Sequence, residues 1–132
     1  QVKHTRGVFR PSALQERQVI HRLVGRFDLE LGAARALAFE RYAAAWKRAE
    51  AGEQISAAAQ AALQGIATYT TELAVNIASA AYRYGGAGAL YQPNILERLL
   101  RDIQAAAQHI AVSDAAYEVH GKHVLGLAEA GA

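Results

Sequence analysis

His109 is the first residue to weigh for chemistry, because histidine is the side chain whose ordinary titration range suits proton transfer near neutral pH. It lies seven residues after Asp102, two helical turns along the same face, among Ile103, Ala106 and Ile110. That spacing puts it near a buried stripe and leaves two readings open. One is a core-edge imidazole satisfied by a backbone carbonyl. The other is an imidazole pointing into a site completed by another domain. Arg98 and Asp102 are four apart and predict an intrahelical ion pair. Arg101 is expected to bridge to a neighbouring helix. Gly85-Gly86-Ala87-Gly88 would let backbone amides approach a phosphate, or would simply stop a helix and turn the chain. His120-x-x-His123 has helical spacing but no evident third ligand, so no metal site is assigned and two surface or partly buried histidines are expected.

The chain has 132 residues, 31 of them Ala, with two Pro, no Cys and no Met. This length fits one domain that folds without disulfides or structural zinc. Net charge is +2, but the stretch through Arg26 carries +5, including Arg6 and Arg10. A basic stretch is usually a solvated face, and it also suits a phosphate or an acidic partner. The cations are not interleaved with stacking aromatics and no recognition motif is present, which argues against nucleic-acid binding. No apolar run approaches the ~18 residues of a membrane span, and no signal peptide is evident. A cytoplasmic protein is expected, with no membrane partner. A chain without Met that starts at Gln1 is expected to be a piece of something longer.

The elements that hold these residues are helical. Ala is the best helix former, and no period-2 alternation is long enough for a strand. Residues 1–11 are expected to be a basic segment, extended or flexible. Residues 12–127 form the bundle domain, and 128–132 a frayed tail. Ser12-Ala-Leu-Gln15 reads as a capping box that opens the first helix. Its apolar face is Leu23, Phe27, Leu31, Ala34 and Ala38, and Gly52 ends it. The second helix starts near Ser56, buries Leu63, Ile66, Tyr69, Leu73, Ile77, Ala80 and Tyr84, and stops at Gly85 and Gly86. Asn94-Ile-Leu-Glu97 after Pro93 opens the third, which is expected to bury Leu96, Leu99, Ile103, Ala106 or Ala107, and Ile110. Ser113-Asp114 caps a fourth that ends near Gly126. The fold class is therefore all-α, an up-down four-helix bundle.

The ordered set of pieces from Gln18 to Leu127 resembles the C-terminal helical domain of the acyl-CoA dehydrogenase superfamily. It is most similar to the type 2 branch, which includes two-component flavin-dependent monooxygenases. The carrying motifs are the Gly-Gly-x-Gly loop at Gly85, the Leu-x-Arg-x-x-Arg-Asp run ending at Asp102, and Gln108-His109. Glu30 to Leu37, Ala49 to Gly52, and Gly121 to Gly126 match the family's first long helix, its end, and its closing helix.

The resemblance implies a parent with an N-terminal helical domain, a middle β-domain and this bundle. A flavin, FAD or FMN, lies between them, and the bundles pack into a homo-oligomer, a dimer or tetramer. Gly85, Gly86 and Gly88 approach the cofactor's phosphate or adenosine side, and Arg6 and Arg10 are further candidates for that phosphate. Many true acyl-CoA dehydrogenases keep a catalytic Glu about two turns after the Arg-Asp pair. Here the place holds Gln108-His109-Ile110, so α-proton abstraction lacks its usual base. The monooxygenase-like relatives carry His there, which implies a proton donor or acceptor beside the flavin ring, fed by a separate flavin reductase. The isolated chain is expected to bind no flavin tightly and to turn nothing over. Two other readings stay open: a stand-alone helical interaction or oligomerisation module, and a domain of a true acyl-CoA dehydrogenase.

Overall fold

The computed structural model describes residues 16–85 and 95–128. Four α-helices account for most of them, and no strand occurs among the described residues. They are α1 (Gln18–Glu50), α2 (Ala57–Tyr84), α3 (Ile95–Ala106) and α4 (Asp114–Val124). The segment 1–11, the Ser12 capping box, Arg6, Arg10, Gly86 and Gly88 lie outside the described residues. The first helix does not run on from Ser12. Arg17 is extended, with φ −80 and ψ 123, and α1 begins after it without a side-chain cap. The carbonyl of Arg17 accepts from Ile20 N at 2.9 Å and His21 N at 3.2 Å, which closes the first turn.

Glycine ends two helices because it adopts a left-handed backbone conformation without strain. Gly52 has φ +75, a left-handed conformation that costs any residue with a Cβ. There Gly52 N donates to Ala49 O at 3.0 Å and Glu53 N to Arg48 O at 3.0 Å, the paired bonds of a Schellman motif. Gly126, at φ +68, ends α4 the same way, with Gly126 N to His123 O and Leu127 N to Lys122 O. Helix starts follow the expected caps. Ser56 Oγ accepts from Ala59 N at 3.2 Å, and Ser113 Oγ from Ala115 N at 3.2 Å.

The packing is centred on α2. Helices α1, α3 and α4 each lie against it. The buried side chains of α2 are Ala61, Ile66, Thr68 and Leu73, with Gly65 between them. Ala34 of α1 and Ala116 of α4 complete the buried set. Small residues at these points let the helix axes approach closely. Tyr42 on α1 donates its hydroxyl to Leu63 O at 3.0 Å, tying α1 to α2 with a polar contact at the edge of the apolar seam.

The third helix is shorter on its buried side than its periodicity predicts. Leu96 and Ile103 are half-buried, but Leu99 is exposed and α3 stops at Ala106. Past that point Gln108 N bonds Ala105 O and His109 N bonds Ala106 O, both at 3.1 Å, so the chain tightens from i→i−4 to i→i−3 geometry. This rotates Ile110 off the stripe, and it is 92% exposed.

Candidate functional site

The turn between α3 and α4 carries His109. The side chain is exposed, so neither a buried-stripe position nor satisfaction by a core carbonyl describes it. Its Nδ1 accepts the backbone N–H of Ala111 at 3.1 Å. A nitrogen that accepts carries no proton, so the proton of the neutral ring sits on Nε2. His109 O in turn accepts from Val112 N at 2.8 Å. The turn is thus closed on itself, with the imidazole as one of its fastenings.

A cleft of about 520 Å³ opens beside this turn. Its walls include Thr68, Glu72 and Asn76 of α2 and Ala107, Val112 and Asp114 of the turn and α4 start. Ala107 and Val112, on either side of His109 in the chain, line the cleft, while the exposed His109 side chain is not among its lining residues. Glu72 Oε2 accepts the hydroxyl of Tyr117 at 2.7 Å. Partial burial, and then the Glu72 carboxylate, push the Tyr117 phenol well above the ordinary tyrosine value of 10.0, so it stays a donor.

Gly85 lies elsewhere. It is the C-cap of α2, in right-handed conformation, and its N–H already donates to Ala81 O at 2.9 Å. It lines an apolar groove of about 420 Å³ with Leu23, Phe27, Ile77, Tyr84 and Leu96. The 12 residues of α3, about 18 Å of helix, separate that end from the turn holding His109. The described part of the chain therefore does not bring Gly85 and His109 into one pocket. Any approach of loop amides to a phosphate falls to Gly86 and Gly88, outside the described residues.

Arg98 pairs with Asp102 at 3.6 Å as its spacing predicts. Arg101 does not bridge to a neighbouring helix. It reaches back one turn to Glu97 Oε1 at 3.6 Å, the i,i+4 spacing that brings side chains together on one helix face. His120 and His123 are half-buried on α4, and no group of three His, Asp or Glu side chains among the described residues is arranged to hold a metal ion. His120 packs over Gly65, where a Cβ on the glycine would meet the imidazole side chain at 3.7 Å. Two residues that matter here carried no motif. Thr68 and Tyr117 take their roles from partners on other elements, Ser113 and Glu72 respectively.

A family profile described as "Acyl-CoA dehydrogenase, C-terminal domain" matches residues 2–114. The chain belongs to that family. Among curated proteins, an indole-3-acetate monooxygenase of Pseudomonas putida is 26% identical over 114 residues, covering 86% of this chain and 29% of that protein. The chain thus spans under a third of the length of the curated relative it matches.

Proposed function

We propose that this chain is the C-terminal helical domain of a flavin-dependent oxygenase, in which it forms one wall of the flavin site and part of the oligomer core. The observation that carries the reading is the state of His109. The family's dehydrogenases need a carboxylate base at this place, and this chain offers an exposed imidazole whose Nδ1 is held by Ala111. An exposed Nε2–H donor on the turn beside the cleft fits the acceptor edge of a flavin ring. The match to an indole-3-acetate monooxygenase supports oxygen chemistry over desaturation.

When bound, reduced flavin supplies the electrons that activate molecular oxygen. The part played by this chain is narrower. His109 holds a proton at Nε2 in the closed turn, and it can give that proton up only as Nδ1 lets go of Ala111 N–H and takes a proton in its place. The turn from Ala107 to Ser113 fixes where that nitrogen stands, and removal of water falls to the domains that cover the cleft. Polar groups from Thr68, Glu72 and Asn76 would line the covered site.

The exposed side of α1 fits the second half of the proposal. Phe39 and Trp46 are both 68% exposed and seven residues apart, so they share one face. Val24, Leu31 and Tyr42 extend it. A second copy of the parent covers this face.

The test compares two chemistries in the parent protein. The oxygenase reading predicts that the parent binds reduced flavin and consumes oxygen, while a panel of acyl-CoA thioesters leaves its oxidised flavin unbleached. Bleaching by an acyl-CoA would overturn it.

A further inference from the structure

We infer that Thr68 is the positioning residue for His109, acting through Ser113. The inference rests on the proposed role of His109 and goes beyond it by assigning what holds the imidazole in place.

Three threonines in one stretch of α2 show the contrast. Thr70 donates its hydroxyl to Ile66 O at 2.9 Å, and Thr71 to Ala67 O at 2.8 Å. Both are satisfied inside their own helix, the ordinary outcome for a mid-helix threonine. Thr68 is different. It is 1% exposed, and its hydroxyl leaves its own helix for Ser113. Thr68 Oγ1 accepts Ser113 N–H at 3.3 Å and donates to Ser113 C=O at 3.4 Å. One hydroxyl thus meets both backbone groups of one residue, 45 positions away.

Ser113 is where the turn must end. Its own Oγ caps α4 at Ala115 N, so its backbone is fixed from both sides. Upstream, Val112 N donates to His109 O, and Ala111 N donates to His109 Nδ1. Two residues of backbone, Ala111 and Val112, therefore stand between the residue held by a buried hydroxyl of the central helix and the hydrogen bonds to His109. At the other end, α3 delivers the turn through its tightened last bonds. The Ser113 cap ties the turn to α4, and the Thr68 hydroxyl is what ties it to the central helix α2.

Valine has the shape of threonine and lacks the hydroxyl, so Thr68→Val removes the anchor and keeps the packing volume. The measurement is the nitrogen-15 signal of the His109 ring in the chain, which distinguishes a protonated from an unprotonated nitrogen. The unaltered chain is expected to show an unprotonated Nδ1 and a protonated Nε2. Thr68→Val is expected to average the two signals toward each other and to shift the Ala111 amide. Thr68→Ser, which keeps the hydroxyl, is expected to restore both. Ring and Ala111 signals unchanged in a folded Thr68→Val chain would overturn the inference. If that variant does not fold, amide exchange of Ser113 in the unaltered chain decides: about tenfold or more protection is expected, and exchange at the open-chain rate would overturn it. The two claims fail separately. Unchanged ring signals remove the positioning, whereas unchanged turnover in His109→Ala removes the role.

Discussion

The Tyr117 hydroxyl donates to Glu72 Oε2 at 2.7 Å, one helical turn along both α2 and α4 from the contact between Thr68 and Ser113. Two polar links thus join the same pair of helices on the side where the cleft opens. Tyr117→Phe removes one of them and is expected to cost about 1 kcal/mol of stability at neutral pH. The phenol's folded pKa is raised above the ordinary 10.0, so folding favours its protonated form. Its contribution is present in full below that value and lost as pH rises above it. Urea unfolding of both chains is expected to show a constant difference from neutral to about pH 10 that shrinks at higher pH. A difference that grows with alkali would contradict this.

The same substitution at two glycines is expected to act in opposite directions. Gly65 is helical and buried, and an added Cβ would stand 3.7 Å from His120 Cβ, an ordinary contact. Gly65→Ala is expected to be neutral or to stabilise by up to about 1 kcal/mol, through helix propensity. Gly52 holds φ +75 in the Schellman motif, and Gly52→Ala is expected to destabilise by about 1 kcal/mol. Thermal unfolding of the two variants checks the sign of each.

Arg98 and Arg101 are both solvent-facing on α3, each paired one turn away, at 3.6 Å, with Asp102 and Glu97 respectively. Exposed pairs of this kind contribute little. Arg98→Ala and Arg101→Ala are each expected to change stability by less than about 0.5 kcal/mol. A larger loss at Arg101 alone would restore the bridge to a neighbouring helix that its spacing suggested.

The helix starts at Ser56 and Ser113, and the ends at Gly52 and Gly126, were legible because each depends on one local side chain or one backbone conformation. The stripe of α2 was legible only in part: Ile66 and Leu73 are buried and Leu63, Ile77, Ala80 and Tyr84 half-buried, but Tyr69, on the same spacing, is exposed. The end of α3 was not. Ala105, Ala106 and Ala107 carry no stop signal, and apolar spacing continues through Ile110. Past that end the chain meets α2 through Ser113 and Thr68, a contact across 45 residues that no local signal announces. For the same reason His109 was legible as a residue type in a family position with an exposed ring, while its bond to Ala111 was not. Thr68 was invisible because a lone threonine in a helix announces nothing about where its hydroxyl goes.

The exposed face of α1 predicts self-association. Arg35 lies over the Phe39 ring at 5.8 Å, yet the ring remains largely open to solvent. Apolar faces of this extent are normally covered. Light scattering at micromolar concentration is expected to give a mass above the 14.1 kDa of one chain, and Phe39→Glu with Trp46→Glu is expected to return it to that value. A single-chain mass for the unaltered protein would contradict the proposed interface.

The central claim is that His109 moves a proton in an oxygenase reaction. The most direct measurement is coupled product formation by the parent protein carrying His109→Ala, supplied with reduced flavin and oxygen. General acid–base assistance is typically worth about 10²–10⁴-fold in rate, and a fall in that range is predicted with flavin affinity unchanged. A loss below about threefold, with fold and flavin affinity intact, would contradict the account and leave His109 as no more than a fastening of its turn.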